Sequence, residues 1–252
     1  RFESLGVDAR GHIYLAWIDK RDRGPTRQRG EAYRGAAVYY AVSTDRGQTF
    51  AENLRVAPHA CECCRIAMAP APNGGVAVLW RHIFEPNVRD HAFAIVGPEG
   101  VESEMRRATF EGWKLDGCPH HGPSLAPTVD QVGYHATWFS AADGTARVFY
   151  GRFDAGGGLV ADPIEVASGV PAAHPSLAVH GPRVHLVWKA VADGVTEVIL
   201  QTSVDGGVNW LPPEPVLSTT GASDHPLLFS HAEHAVLSWR TDVEGLRIAS
   251  LG

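Results

Sequence analysis

The stretch GHIYLAW (11–17) returns four times in altered form: GVAVLW (75–80), GYHATW (133–138), RVHLVW (183–188) and HAVLSW (234–239). Each is a short run rich in β-branched and aromatic residues that ends in Trp and is bounded by Gly, Pro, Asn or Asp, the pattern of a strand meeting a turn. Trp17, Trp80, Trp138, Trp188 and Trp239 are spaced by 63, 58, 50 and 51 residues. That period suits one four-stranded unit per repeat. Three of the runs are preceded by a strand opening near Pro-Ser-Leu: PSLAP (123–127), PSLAV (175–179) and PLLFS (226–230). Helical signatures are nearly absent. The expected fold is all-β: a β-propeller of four-stranded antiparallel blades at roughly 1–58, 59–116, 117–168, 169–219 and 220–252.

Composition sets outer limits. With 44% hydrophobic residues in 252, the chain can bury a sizeable core. A net charge of −6 gives no global basic field, so nucleic acid is not the expected partner. No apolar run approaches the ~18–20 residues a membrane helix needs. The chain opens on Arg1 and its fifth repeat stops at RIASLG, read as a third strand. An unclosed ring with an open edge is unfavourable, so an N-terminal part is expected to supply the closing strand and a sixth blade.

Two stretches sharpen the fold reading. STDRGQTF (43–50) fits Ser-x-Asp-x-Gly-x-Thr-Phe in full, and SVDGGVNW (203–210) fits it with Asn209 and Trp210 in the last two places. An Asp that caps its own turn and a Gly at positive φ explain the chemistry of such a turn. Both stretches resemble the Asp-box of sialidase-like (BNR) propellers. The resemblance implies that each lies between the third and fourth strands of a blade, in a structural role. It also implies a periplasmic or secreted protein.

The repeat serves as a ruler for the four Cys and thirteen His. Setting Ala67-Met68-Ala69-Pro70 on Ser124-Leu125-Ala126-Pro127 puts Cys61 on Cys118, Cys63 on His120 and Cys64 on His121. CECC (61–64) and CPHH (118–121) thus fill the same connection of consecutive blades, which in propellers as a family lies on the upper face beside the central channel. Converging thiolates and imidazoles are ligands for soft or borderline metals. The expected ligands are Cys63, Cys64, His120 and His121, with Cys61 and Cys118 as further ligands or a disulfide. Cys-x-Cys-Cys is tighter than the Cys-x₂₋₄-Cys of zinc knuckles, which favours copper as Cu(I), with zinc as the alternative. A purely disulfide reading pairs Cys61 with Cys118 and Cys63 with Cys64, the latter strained. His174 and His225 stand at the same address in later blades; His59 precedes the Cys cluster, and Met68 reads as core.

The long segment from Asp19 to Gly35 carries Lys20, Arg21, Arg23, Arg27, Arg29 and Arg34, and RHIFEPNVRDH (81–91) adds Arg81, His82, Arg89 and His91. Long loops in a compact repeat are usually functional, so an anionic ligand or a protein partner is a candidate at 19–35, against a solvated loop balanced by Asp22 and Glu31. The resemblance also raises a sialidase-like glycoside hydrolase or a carbohydrate-binding propeller. CRIA (64–67) is similar to the family's Arg-Ile-Pro motif, with Arg65 in the Arg place. Glycosidic chemistry wants two positioned carboxyl groups, and Glu62, Asp116 and Asp224 form no recognisable pair. The leading expectation is metal storage, delivery or sensing without catalytic residues; a protein-docking assembly factor with disulfide-stapled loops is the third reading.

Overall fold

A computed structural model describes residues 1–167, 171–231 and 234–251. Every sheet is an antiparallel meander in chain order. The first runs β1 (Ser4–Val7), β2 (Ile13–Asp19), β3 (Ala36–Ser43) and β4 (Leu54–Ala60). The second runs β5 (Ala67–Pro70), β6 (Val76–Arg81) and β7 (His91–Gly97), with its outer position split between β8 (Gly100–Val101) and β9 (Arg106–Arg107) at opposite ends of β7. The third holds β10 (Ser124–Pro127), β11 (Gly133–Ser140), β12 (Arg147–Asp154) and β13 (Ile164–Ala167). The fourth holds β14 (Ala172–His180), β15 (Arg183–Ala192), β16 (Val195–Ser203) and β17 (Glu214–Thr219). The fifth has three strands among the described residues: β18 (Leu227–His231), β19 (His234–Thr241) and β20 (Gly245–Leu251). The boundary expected at 168/169 lies outside the described residues.

Each Trp-bearing run is the second strand of its sheet. In β2 burial alternates along the strand, whereas β6 and β11 are buried on both faces. Such strands read as near-continuous apolar runs, and Trp80 and Trp138 are fully buried within them. The strands set in register by sequence, β5 and β10, have the expected bounds. Two compact units divide the chain: residues 1–123 with 153–159, and residues 124–152 with 160–252. Among the described residues no helix is long and apolar enough to cross a membrane.

Both Asp-boxes occupy the turn between third and fourth strands. Asp45 accepts from Ser43 Oγ at 2.7 Å, Thr49 N at 2.9 Å and Thr49 Oγ1 at 2.6 Å. Asp205 accepts from Ser203 Oγ at 2.8 Å, Asn209 N at 2.8 Å and Asn209 Nδ2 at 2.7 Å. A third turn is built alike without the motif: Asp154 Oδ1 accepts from Gly156 N at 2.9 Å and Gly158 N at 2.8 Å. These bonds hold Asp45 at a pKa of about 2, through Thr49 first, and Asp205 at about 2, through the Asn209 backbone first.

The two boxes differ behind their glycines. Gly47 (φ 86) and Gly207 (φ 82) both need the left-handed region. A Cβ at Gly47 would meet only Ile13 Cδ1 at 3.5 Å, whereas at Gly207 it would fall 1.8 Å from Tyr150 Oη. That hydroxyl bonds His135 Nδ1 at 2.6 Å, and its ring packs edge-on against Trp210. Gly47→Ala is therefore expected to cost only the backbone strain of ~1–2 kcal/mol. Gly207→Ala adds overpacking of ~1–3 kcal/mol. Equal denaturation midpoints for the two variants would refute this difference.

Candidate metal centre

The CECC connection is held by backbone before its thiols are placed. Cys61 N donates to Arg81 O at 2.9 Å and Ile83 N to His59 O at 2.8 Å, while Ala60 bridges His82. The end of β4 and the Cys61 that follows it thus pair with the end of β6 and the residues after it. The chain then turns through Glu62, whose carboxylate is salt-bridged to Lys20. That turn folds Cys63 and Cys64 back beside Cys61. The three Sγ atoms lie within 4.8 Å of one another. Cys64 Sγ is 3.1 Å and Cys63 Sγ 3.8 Å from Cys61 Sγ. All three are buried and pack with Phe2. All four cysteines are free thiols, so neither expected disulfide is present.

Two guanidinium groups serve this buried sulfur cluster. Arg89 Nη1 lies 3.5 Å from Cys61 Sγ. Arg81, itself buried, sits over the Trp113 ring at 5.0 Å and donates to Arg89 O at 2.5 Å and His121 O at 3.3 Å. Thiol donation from Cys63 and Cys64, aided by the charge of Arg89, pulls the Cys61 pKa down. Cys63 is pushed up because its proton is held against Cys61, and burial pushes Cys64 up. The three sulfurs thus form one hydrogen-bonded group centred on Cys61.

The CPHH connection rests on this one. Arg65 and Gly122, in register by sequence, touch: a Cβ at Gly122 would lie 2.7 Å from Arg65 Cβ. Only glycine fits there without moving the CECC backbone. Cys118 is exposed, and its side chain helps to push the Cys63 pKa up. His120, at φ 59, is exposed, with its ring edge-on to Phe2 at 6.4 Å. His121 is half-buried. The ligand atoms of His120 and His121 lie outside the three-sulfur group. Sequence reasoning places Arg81 and Arg89 on a long loop flanking the Cys/His connections, without tying them to the sulfurs, and gives Phe2 no role.

Other nominated residues fall elsewhere. In the second unit the rings of His174 and His225 stack at 3.6 Å and 17°. His174 lies in a bulge of β14 at φ 53, the kind of irregularity that re-aims a side chain. His59 packs near His82 at 6.2 Å, and Met68 packs on the core. Segment 19–35 contains a six-residue helix, α1 (Arg23–Gln28). Its charges are largely matched: Arg21 with Asp19, Arg29 with Glu31, Arg34 with Glu85, and Asp22 with Arg55.

No protein-family model matches the chain, and no curated protein matches it. Solved structures do. A protein of unknown function from Dyadobacter fermentans superposes with a TM-score of 0.64 at 14% identity, over 100% of this chain and 78% of that one. The NanB sialidase from Streptococcus pneumoniae gives 0.62 at 9% identity, over 100% of this chain and 59% of the sialidase. The chain is a β-propeller. An ulvan lyase gives 0.54 at 13% identity, over 99% of this chain and 64% of the lyase. Such likeness carries the propeller's fold and nothing of its chemistry. The propeller spans about three-fifths of the sialidase and of the lyase.

Proposed function

We propose that this propeller is a metal-binding protein of the periplasm or extracellular space that stores, delivers or senses copper as Cu(I). The observation that carries the reading is the buried, all-sulfur cluster of Cys61, Cys63 and Cys64. Thiolates select soft ions. With metal–sulfur bonds of ~2.3 Å, three sulfurs about one ion stand ~3.8–4.0 Å apart, close to the spacing already present. Three thiolates around Cu(I) leave a net charge of about −2, which Arg81 and Arg89 are placed to offset. Zinc is the second choice, because a closed zinc site takes four ligands and needs Cys118 or a histidine drawn in. The compartment rests on the Asp-box resemblance.

The reading is tested by offering the reduced protein Cu(I) and Zn(II) together, without oxygen. About one Cu(I) per chain is expected to bind, with thiolate-to-metal charge-transfer absorption, while zinc stays in solution. Preferential zinc uptake would overturn the copper assignment. Uptake of neither ion, with all four thiols reduced, would overturn the metal reading.

A further inference from the structure

The three clustered thiols raise a problem of access. Cys61, Cys63 and Cys64 are 0%, 3% and 1% exposed, so an ion held among them has no direct route to the ligands of another molecule. Cys118 is exposed, on the same short loop as Gly122, and it acts on the Cys63 thiol, helping to push its pKa up. Its loop is fixed there by contacts that do not involve its thiol. Gly122 abuts Arg65, and the carbonyl of His121 accepts from Arg81, the guanidinium beside the cluster. Cys118 is therefore a sulfur ligand with one side toward solvent and the other toward the buried trio.

Resting on the metal reading above, we propose that Cys118 is the transfer ligand of the site, taking Cu(I) from a thiolate-bound carrier and passing it to Cys63. Soft ions held by sulfur move by ligand exchange, one sulfur replacing another. In the first step the Cys118 thiol releases its proton and bonds the ion while one carrier sulfur departs. Cys63 then gives up its proton and bonds in place of the second carrier sulfur. Cys61 and Cys64, each bonding as a thiolate with its proton lost to solvent, complete the trio as Cys118 lets go and regains a proton. Departing carrier thiolates take up protons from solvent, copper stays monovalent throughout, and no electron moves. The partner this chemistry fits presents Cu(I) on accessible thiolates.

The test uses the full chain and its Cys118→Ser variant, with Cu(I)–glutathione as donor and a bathocuproine chelator as acceptor. The variant is expected to hold Cu(I) at equilibrium within about threefold of the wild type, yet to load and unload at least tenfold more slowly. Cys118→Ala should behave alike, which separates loss of the sulfur from an effect of the introduced hydroxyl. Unchanged rates in both variants would overturn the transfer role alone. So would an affinity loss as large as that from removing a buried thiol, which would make Cys118 a resident ligand. A wild type that takes up no Cu(I) would overturn this proposal together with the metal reading it rests on.

Discussion

Cys61→Ser is expected to weaken metal binding by about 10²–10³-fold while leaving the metal-free protein folded. A structural four-ligand zinc site contributes ~10–16 kcal/mol, or ~3–4 kcal/mol per ligand, and each 1.4 kcal/mol is tenfold in affinity. Cys61 is the residue to remove first because it is the hub of the cluster. Cys64 donates to its sulfur at 3.1 Å, Cys63 hydrogen-bonds it at 3.8 Å, and Arg89 stands 3.5 Å from it. Serine is smaller by little and keeps an acceptor for the two thiols, so the thermal midpoint without metal should move only slightly. Competition against a chelator of known affinity reads the first quantity and thermal unfolding the second. Wild-type affinity in the variant would place the metal elsewhere.

Trp138→Ala is expected to produce the largest loss of stability, about 3–5 kcal/mol. Trp138 is wholly buried in β11, a strand covered on both faces, and stacks on Phe149 with centroids 6.0 Å apart and planes at 16°. Alanine forfeits the transfer free energy of a large aromatic and leaves a cavity that two-sided packing cannot close. For a chain of this length each kcal/mol moves the midpoint by ~2–4 °C, so a drop of about 6–20 °C should appear in a thermal melt followed by circular dichroism. A shift under about 2 °C would mean that the Trp repeat marks strand ends without holding them.

How much of this was readable beforehand depends on the scale of the feature. The repeated Trp runs located the second strand of each sheet; β6 and β11, buried on two faces, leave a long apolar signature, whereas β2 is found by its alternation and its terminal Trp. The Pro-Ser-Leu alignment reached residue register, with β5 at Ala67–Pro70 and β10 at Ser124–Pro127. The split outer edge of the second sheet was not readable: β8 and β9 have two residues each, too few to show any period. Helix α1, RGPTRQ, buries no residue and so leaves no apolar stripe to find. The Asp154 turn lacks the Ser and Thr that mark an Asp-box; its carboxylate accepts from two glycine backbone groups and pairs with Arg106.

The site was legible as an address and not as a coordination sphere. Alignment by repeat set CECC against CPHH, and those connections do touch, through Arg65 and Gly122. It ranked Cys63, Cys64, His120 and His121 together and set Cys61 aside as a further ligand or a disulfide partner. In the folded chain Cys61 is the centre of the sulfur cluster, while Cys118 stays at the surface. That difference comes from burial and side-chain direction, set by the pairing of Cys61 with Arg81 across β4 and β6. One-dimensional spacing carries no trace of it.

The most direct measurement is X-ray absorption at the metal edge of the copper-loaded wild-type protein. The predicted first shell is three sulfurs at ~2.2–2.3 Å with no nitrogen, from Cys61, Cys63 and Cys64. A shell dominated by nitrogen or oxygen would contradict a buried three-thiolate site in this propeller.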